Sequence, residues 1–513
     1  MKTKIIMTIV ICILNLTTFS QTNTFYISYS STGGAVLDMK KTIDNCLILF
    51  TDKDPYNHNF VKVDTVGNII WQTQITSPFP QNPCSIIQTT DSGYIALLNS
   101  FTGNGMITLV KLNKNGNYLW SKKFNQSSSN QGRDLCPTDN GGFAVIGGGC
   151  SGNNFVIKFD VNGTILWKNQ YRDYTYTGSY GWNIIYKNNS IVIAGATGDS
   201  PYYFHLTLLS LDLSGNTRWY KVYSVPRQII PKALINTSDE GYTITGLTNT
   251  VDTNFSRPFL LHTDSIGNLI WTKYYNHSLS AQSADLIQLD DDSYIISGSI
   301  YFTTSLNNQL LNIKTNENGN LIWGHSSGSI ALSGAYSDEI RCSERINGNH
   351  FFTAGYSDKT VLLKNDSSGN GHCNLDTVNY SVTALSPTQS SPSITLLPLS
   401  FVDDTTLITS GNPGYFRNVL CSTAIGTNEI PYEVKLNIFP NPFSDLATLQ
   451  TQATLEEATL LIYNSLGQKV TQINNISGQN VTLCRNNLPC GLYLIHLVEH
   501  NIIIATHKIL LID

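Results

Sequence analysis

The stretch "TDSIGNLIW" (Thr263 to Trp271) gathers an acid, a glycine, an asparagine and a tryptophan, side chains able to ligate a metal or stack a sugar. It recurs as "VDTVGNIIW" (Trp71), "LNKNGNYLW" (Trp120), "FDVNGTILW" (Trp167), "LDLSGNTRW" (Trp219) and "TNENGNLIW" (Trp323), with a degenerate copy, "NDSSGNGHC", that carries Cys373 in place of the tryptophan. Calcium asks for six to eight oxygens, usually with several carboxylates. Two copies start with Asn, and the residues between are often Val, Leu or Ile, which cannot ligate. A hairpin turn accounts for every position: Asp or Asn accepts from backbone amides two residues on, and Gly-Asn supplies positive φ. Six tryptophans in one register point to one repeated packing task, because aromatic area of that size dominates core energetics. The triplet Asp290 to Asp292 reads as a solvated turn.

Successive copies lie 49, 47, 52, 52, 52 and 50 residues apart. A second motif, a turn followed by an alternating apolar run, keeps step with them at Leu47, Tyr94, Phe143, Ile191, Tyr242, Tyr294, Phe351 and Leu407. The apolar period of two, in short runs bounded by Gly, Asn, Asp and Ser, predicts strands. A unit of about 50 residues with four short strands is the pattern of a β-propeller blade. The chain is therefore expected to be all-β. Eight copies of the second motif predict eight blades, with seven as the alternative. Residues 24–30 resemble the strand after Trp in other units and are expected to complete a last blade around 401–422, closing the ring.

Other chemistry is sparse. No HExxH, Walker loop or GxSxG occurs, and the ten histidines never stand at a metal-pair spacing within a repeat. Nine of the ten cysteines lie beyond the amino-terminal segment, without CxxC spacing, and Cys484–Cys490 is the expected disulfide. Charged residues are 13% and the net charge is −5, which argues against nucleic acid and against a polybasic membrane patch. Residues 1–20 carry Lys2, Lys4 and an apolar run from Ile5 to Leu16 and are expected to be a signal peptide cleaved after Ser20. No later stretch is apolar enough to span a membrane, so the mature chain is expected to have no transmembrane span.

After about residue 425 the repeat stops. A linker over 426–433 leads to a small antiparallel β-sandwich of roughly seven strands over 434–513, the propeller occupying 21–425. "FPNPF" (Phe439 to Phe443), "YNSLGQKV" (Tyr463 to Val470), "LPCGLYLI" (Leu488 to Ile495) and Lys508 before a terminal apolar strand closely resemble the type A carboxyl-terminal sorting domain of the Bacteroidetes type IX secretion system. The resemblance implies partnership with the outer-membrane translocon, and a secreted or cell-surface location reached through the periplasm. The spacing D-x-x-G-x-x-x-W resembles the tryptophan-docking motif of eight-bladed quinoprotein dehydrogenases, although Gly and Trp lie one residue closer to the Asp here and no adjacent cysteines are present.

The expected function is a surface propeller that binds an unknown protein or glycan. The alternatives are a propeller enzyme, quinoprotein-like or polysaccharide-degrading, and a structural adhesion component. No catalytic, cofactor-binding or metal residue is assigned, and no cofactor is expected. The aromatic segments 169–182 and 196–206 are the ones to inspect for a ligand.

Overall fold

The computed structural model describes residues 24–513 apart from 31–33, 101–105, 126–129, 150–151, 201–202, 250–254, 302–307, 328–338, 347–348, 357–358, 372–374, 399–401, 406–407, 413, 415, 423–435, 465–468, 487 and 500–501. The expected signal peptide and linker thus lie outside the described residues. The chain divides into two compact units, 1–423 and 424–513.

The first unit is a propeller of seven blades. Blades 1 to 6 each run through four antiparallel strands: 36–76, 81–125, 130–172, 178–224, 228–276 and 280–327. Blade 7 takes three strands from Glu339–Arg345, Phe351–Tyr356 and Thr360–Asn365, and its fourth from Phe25–Ser30. The amino-terminal strand closes the ring as expected, but onto the seventh unit. First strands of consecutive blades touch all round, and that of blade 7 meets that of blade 1.

The expected eighth blade is replaced by a belt. Residues 375–422 form seven short strands that start at 375, 381, 388, 395, 402, 409 and 416. Each pairs antiparallel with the outer, fourth strand of one blade, visiting blades 6, 5, 4, 3, 2, 1 and 7 in turn. The belt runs back around the whole ring. Its step of seven residues covers up to about 23 Å of extended chain, a fair match to one blade's periphery. Tyr380, Ile394 and Ile408, multiples of seven apart, pack into the clusters between blades. The segment around Leu407 has the alternation of an inner strand, yet its neighbours Val402–Thr405 and Thr409–Gly411 edge two different blades; Leu407 itself lies outside the described residues. Unpaired outer edges invite association with other chains, and the belt occupies part of every one.

The repeated turn joins blades. Asp264 Oδ1 accepts from the amides of Ile266 and Asn268, and the Asn268 side chain donates to Oδ2, as the turn reading requires. Each tryptophan lies on the turn glycine of the next blade: Trp71 on Gly116, Trp120 on Gly163, Trp167 on Gly215, Trp219 on Gly267, Trp271 on Gly319 and Trp323 on Gly369. It also meets the second motif there, with Trp71–Tyr94 ring centroids 5.5 Å apart and Trp271–Tyr294 6.3 Å apart. Tyr171, Tyr223 and Tyr275, four residues beyond their tryptophans, donate to the carbonyls of Gly215, Gly267 and Gly319. The closing interface has no tryptophan: Ile27 fills the space over Gly67, and Tyr29 donates to the Gly67 carbonyl at 2.9 Å.

The second unit departs from the expected sandwich. It holds five strands in one sheet, Leu436–Phe439, Leu446–Tyr463, Lys469–Cys484, Gly491–Glu499 and Ile502–Leu511. Register shifts between Gln450 and Leu455 and again at Ala458 bend the 18-residue second strand, so a single sheet folds nearly closed over its own core. Asn441 binds the last strand through the Lys508 carbonyl and the Leu510 amide, and Phe443 is buried beneath it. Cys484 and Cys490 are both free, contrary to the expected disulfide. The Cys490 thiol instead donates to Asp513 at 2.8 Å.

Gly319 has φ 71°, and a Cβ there would stand 2.7 Å from the Trp271 ring. Trp271→Ala is expected to cost about 3 kcal/mol. Gly319→Ala is expected to destabilise as well, through backbone strain and that clash. The double variant should lose less than the sum, because the clash disappears with the ring. Chemical denaturation of the four proteins checks this; strict additivity would separate the two residues.

Candidate binding site in the central channel

The first strand of every blade carries a β-bulge at one register. The bulged residues are Leu37, Cys84, Arg133, Trp182, Lys232, Ala284 and Arg341. Bulges re-aim side chains, and all seven line one cavity of about 510 Å³ to which every blade contributes, so it lies on the ring axis. It opens where first strands begin and second strands end, beside Ala35, Asn82, Asp52 and Ser100.

Three neighbouring bulges place Arg133, Trp182 and Lys232 together. The Arg133 guanidinium lies 4.6 Å from the Trp182 ring centre and the Lys232 ammonium 4.9 Å from it, one from each flanking blade. Lys232 is held below the ordinary lysine range, first by burial and then by the charges of Arg133 and Arg341. Arg341 pairs with Glu339 at 2.9 Å and remains 45% accessible.

The residue after each bulge works differently. Asp38 accepts from the Ile86 amide of blade 2, Asp134 from the Ile184 amide of blade 4, and Asp285 from the Ser343 amide of blade 7. These carboxylates clamp neighbouring blades, and Ser85 bridges Asp38 and Asp134 at 2.9 and 2.8 Å. Lys40 bonds Asp38 at 2.8 Å. Burial opposes the Lys40 charge, yet Asp38, Glu344, Asp285 and Asp134 hold its ammonium well above the usual range.

Lys40 and Asp285 also line a second cavity of about 700 Å³ toward the opposite end, with Glu344, Asp290 and Asp292. The channel is thus cationic at one mouth and acidic at the other end, an arrangement that focuses field along its axis. Burial pushes Glu344 up to about 7, with Lys40 opposing and Asp285 and Asp38 adding. Burial likewise pushes Asp285 up to about 6.

The sequence reading assigned no site residues. Arg133, Lys232 and Arg341 belong to no motif, but each stands ten residues before its blade's second-motif aromatic, Phe143, Tyr242 and Phe351. That offset would have found them. The aromatic segment 169–182 does reach the channel, through its last residue, Trp182. Segment 196–206 belongs to the hairpin of the second and third strands of blade 4. Asp290 to Asp292 form a turn tied to its neighbours, Asp291 to Lys314 at 3.1 Å and Asp290 to Arg345 at 2.5 Å. Among the described residues no three His, Cys, Asp or Glu side chains gather as a metal site, and no helix is long and apolar enough to cross a membrane.

Fold and carboxyl-terminal unit together define an exported seven-bladed β-propeller with a sorting tail. Residues 437–512 match the family of secretion system C-terminal sorting domains, the tail of type IX cargo, which implies engagement with that machinery and export to the cell surface or beyond. No curated protein sequence matches the chain significantly. Solved structures similar to it include a Dyadobacter fermentans protein of unknown function (10% identity, TM-score 0.39, 67% of this chain and 97% of that one). Another is the polysaccharide lyase Uly1 (10%, TM-score 0.40, 65% and 90%). A third is the sialidase of Trypanosoma rangeli (11%, TM-score 0.35, 59% and 56%). Likenesses at this level carry no argument about function.

A carboxyl held above its unfolded value stabilises the fold below that value, and the contribution is lost as pH rises through the folded one. For Glu344 the window runs from 4.5 to about 7. The melting temperature is expected to fall as pH rises across that window. Glu344→Gln should flatten the slope, which differential scanning calorimetry at several pH values would show; an unchanged slope would remove Glu344 from the account.

Proposed function

We propose that the propeller is a cell-surface binding module, delivered by its carboxyl-terminal unit, whose ligand enters the cationic mouth of the central channel. The observation that carries this is the bulge register. The inter-blade turns and the carboxylates of Asp38, Asp134 and Asp285 are occupied by scaffold bonds, whereas Arg133, Trp182 and Lys232 aim into an open cavity of a size usual for ligand sites. The Asp38, Asp134 and Asp285 carboxylates beside them accept backbone amides of neighbouring blades, which ties them into the scaffold.

An enzyme reading has one observation in its favour: Glu344 and Asp285, with pKa values of about 7 and about 6, share the acidic end of the channel. A screen of the mature chain against glycan and protein arrays, paired with product analysis on each hit, separates the two. Binding without turnover is expected; product formation that Glu344→Gln abolishes would establish the enzyme instead. Deleting residues 434–513 is expected to trap the propeller in the periplasm, and unchanged surface display would remove the sorting role.

A further inference from the structure

We propose that the ligand of this mouth is an acidic polysaccharide, one of whose carboxylate or sulfate groups is held by Arg133 and Lys232. The inference rests on the binding reading above and names its chemistry.

Two cations lie against one indole, drawn from blades 3 and 5 onto blade 4. Among the described residues neither forms an ion pair, in a chain whose net charge is negative. The ring's negative face tolerates both, since cation–π attraction offsets part of their repulsion. It does not neutralise them. Lys232 records the residual cost, its ammonium disfavoured by burial and by Arg133 and Arg341. An oxyanion between the two would relieve that repulsion and take charge-assisted hydrogen bonds from both.

The indole supplies a second, independent sign: Nε1 of Trp182 is buried and meets no acceptor, and Oδ1 of the adjacent Asn183 is likewise unmatched. Buried polar atoms are rarely left so. A ligand offering an acceptor and a hydroxyl would answer both.

The cavity also contains Asp38, Asp52, Asp134 and Asp285, as many carboxylates as cations. Each accepts a bond from a backbone amide: Met39 and Ile86 to Asp38, Ala35 to Asp52, Leu135 and Ile184 to Asp134, Leu286 and Ser343 to Asp285. Burial further raises Asp52, Asp134 and Asp285. Of the charged side chains that line the cavity only Arg133 and Arg341 are exposed, so the charge open to solvent at the mouth is positive.

Three classes of anion compete for such a site. Nucleic acid needs an open aromatic platform for its bases, and the one ring here is already engaged by two cations. An acidic peptide would want apolar recesses for its other side chains. The exposed rim beside the cations is instead hydrogen-bonding and uncharged at Asn82 and Gln131. That lining suits a chain of hydroxyls.

The test is calorimetric titration of the mature chain with four probes at matched length and one ion: a uronate oligosaccharide, a sulfated oligosaccharide, their neutral counterpart, polyglutamate, and inorganic sulfate. At least one of the two acidic oligosaccharides is expected to bind at least about tenfold tighter than the neutral chain, polyglutamate and sulfate, with affinity falling as salt rises. Arg133→Gln and Lys232→Gln should each weaken it about tenfold without changing the melting temperature. If a variant unfolds, the salt dependence and the acidic-to-neutral ratio of the wild type still decide. Equal binding of the neutral chain overturns the acidic class while leaving a binding module. Equal binding of polyglutamate or of sulfate overturns the polysaccharide. Turnover of a bound acidic chain would instead sink the binding-only reading and leave the preference for acid intact.

Discussion

The propeller depends on the contact between a tryptophan of one blade and the turn glycine of the next. A four-stranded blade has two apolar faces and cannot bury either alone; its neighbours supply the cover. The aspartate-anchored turn holds its glycine at positive φ, which leaves a flat patch of backbone with no Cβ. The indole lies on that patch, and a tyrosine four residues on reaches the same glycine's carbonyl in three interfaces. Because one turn serves both as hairpin closure and as docking surface, its composition is restricted twice. That is why it repeats so visibly.

A ring of such contacts is only as strong as its closure. Here the seventh interface is made by the amino-terminal strand, where Phe25 holds the tryptophan's register, Ile27 covers Gly67 and Tyr29, four residues beyond Phe25, reaches the Gly67 carbonyl. The belt adds a second closure of a different kind. It runs through all seven blades in the reverse direction and ends beside the amino-terminal strand, which it pairs from Phe25 to Ser30. Opening any interface from blade 6 round through blade 1 to blade 7 would therefore also pull on the belt strands of the blades on both sides.

Both closures free the channel from structural duty at one register only. The bulge separates a residue that clamps blades, such as Asp38 or Asp134, from one that is turned into the lumen, such as Arg133 or Lys232. Adjacent residues in one strand thus serve stability and recognition independently. Exchange of the lumen residue need not disturb the clamp.

Periodicity of two, the turn residues and the 50-residue interval were local facts, and so strands, blades and the closing role of residues 24–30 were determined by sequence. The sorting unit was too, because its motifs are contiguous. Blade number was not. The segment 375–422 has the length and alternation of one more blade, and nothing local distinguishes four strands in one sheet from seven strands on seven sheets; only the pairing partners, from Ser327 back to Phe25, decide it. The second unit shows the same limit, since a bent 18-residue strand reads as two. The channel site was hidden for a related reason. A bulge is a mismatch between two strands, invisible in either one, and it is the ring that brings Arg133, Trp182 and Lys232 together from positions about 50 residues apart.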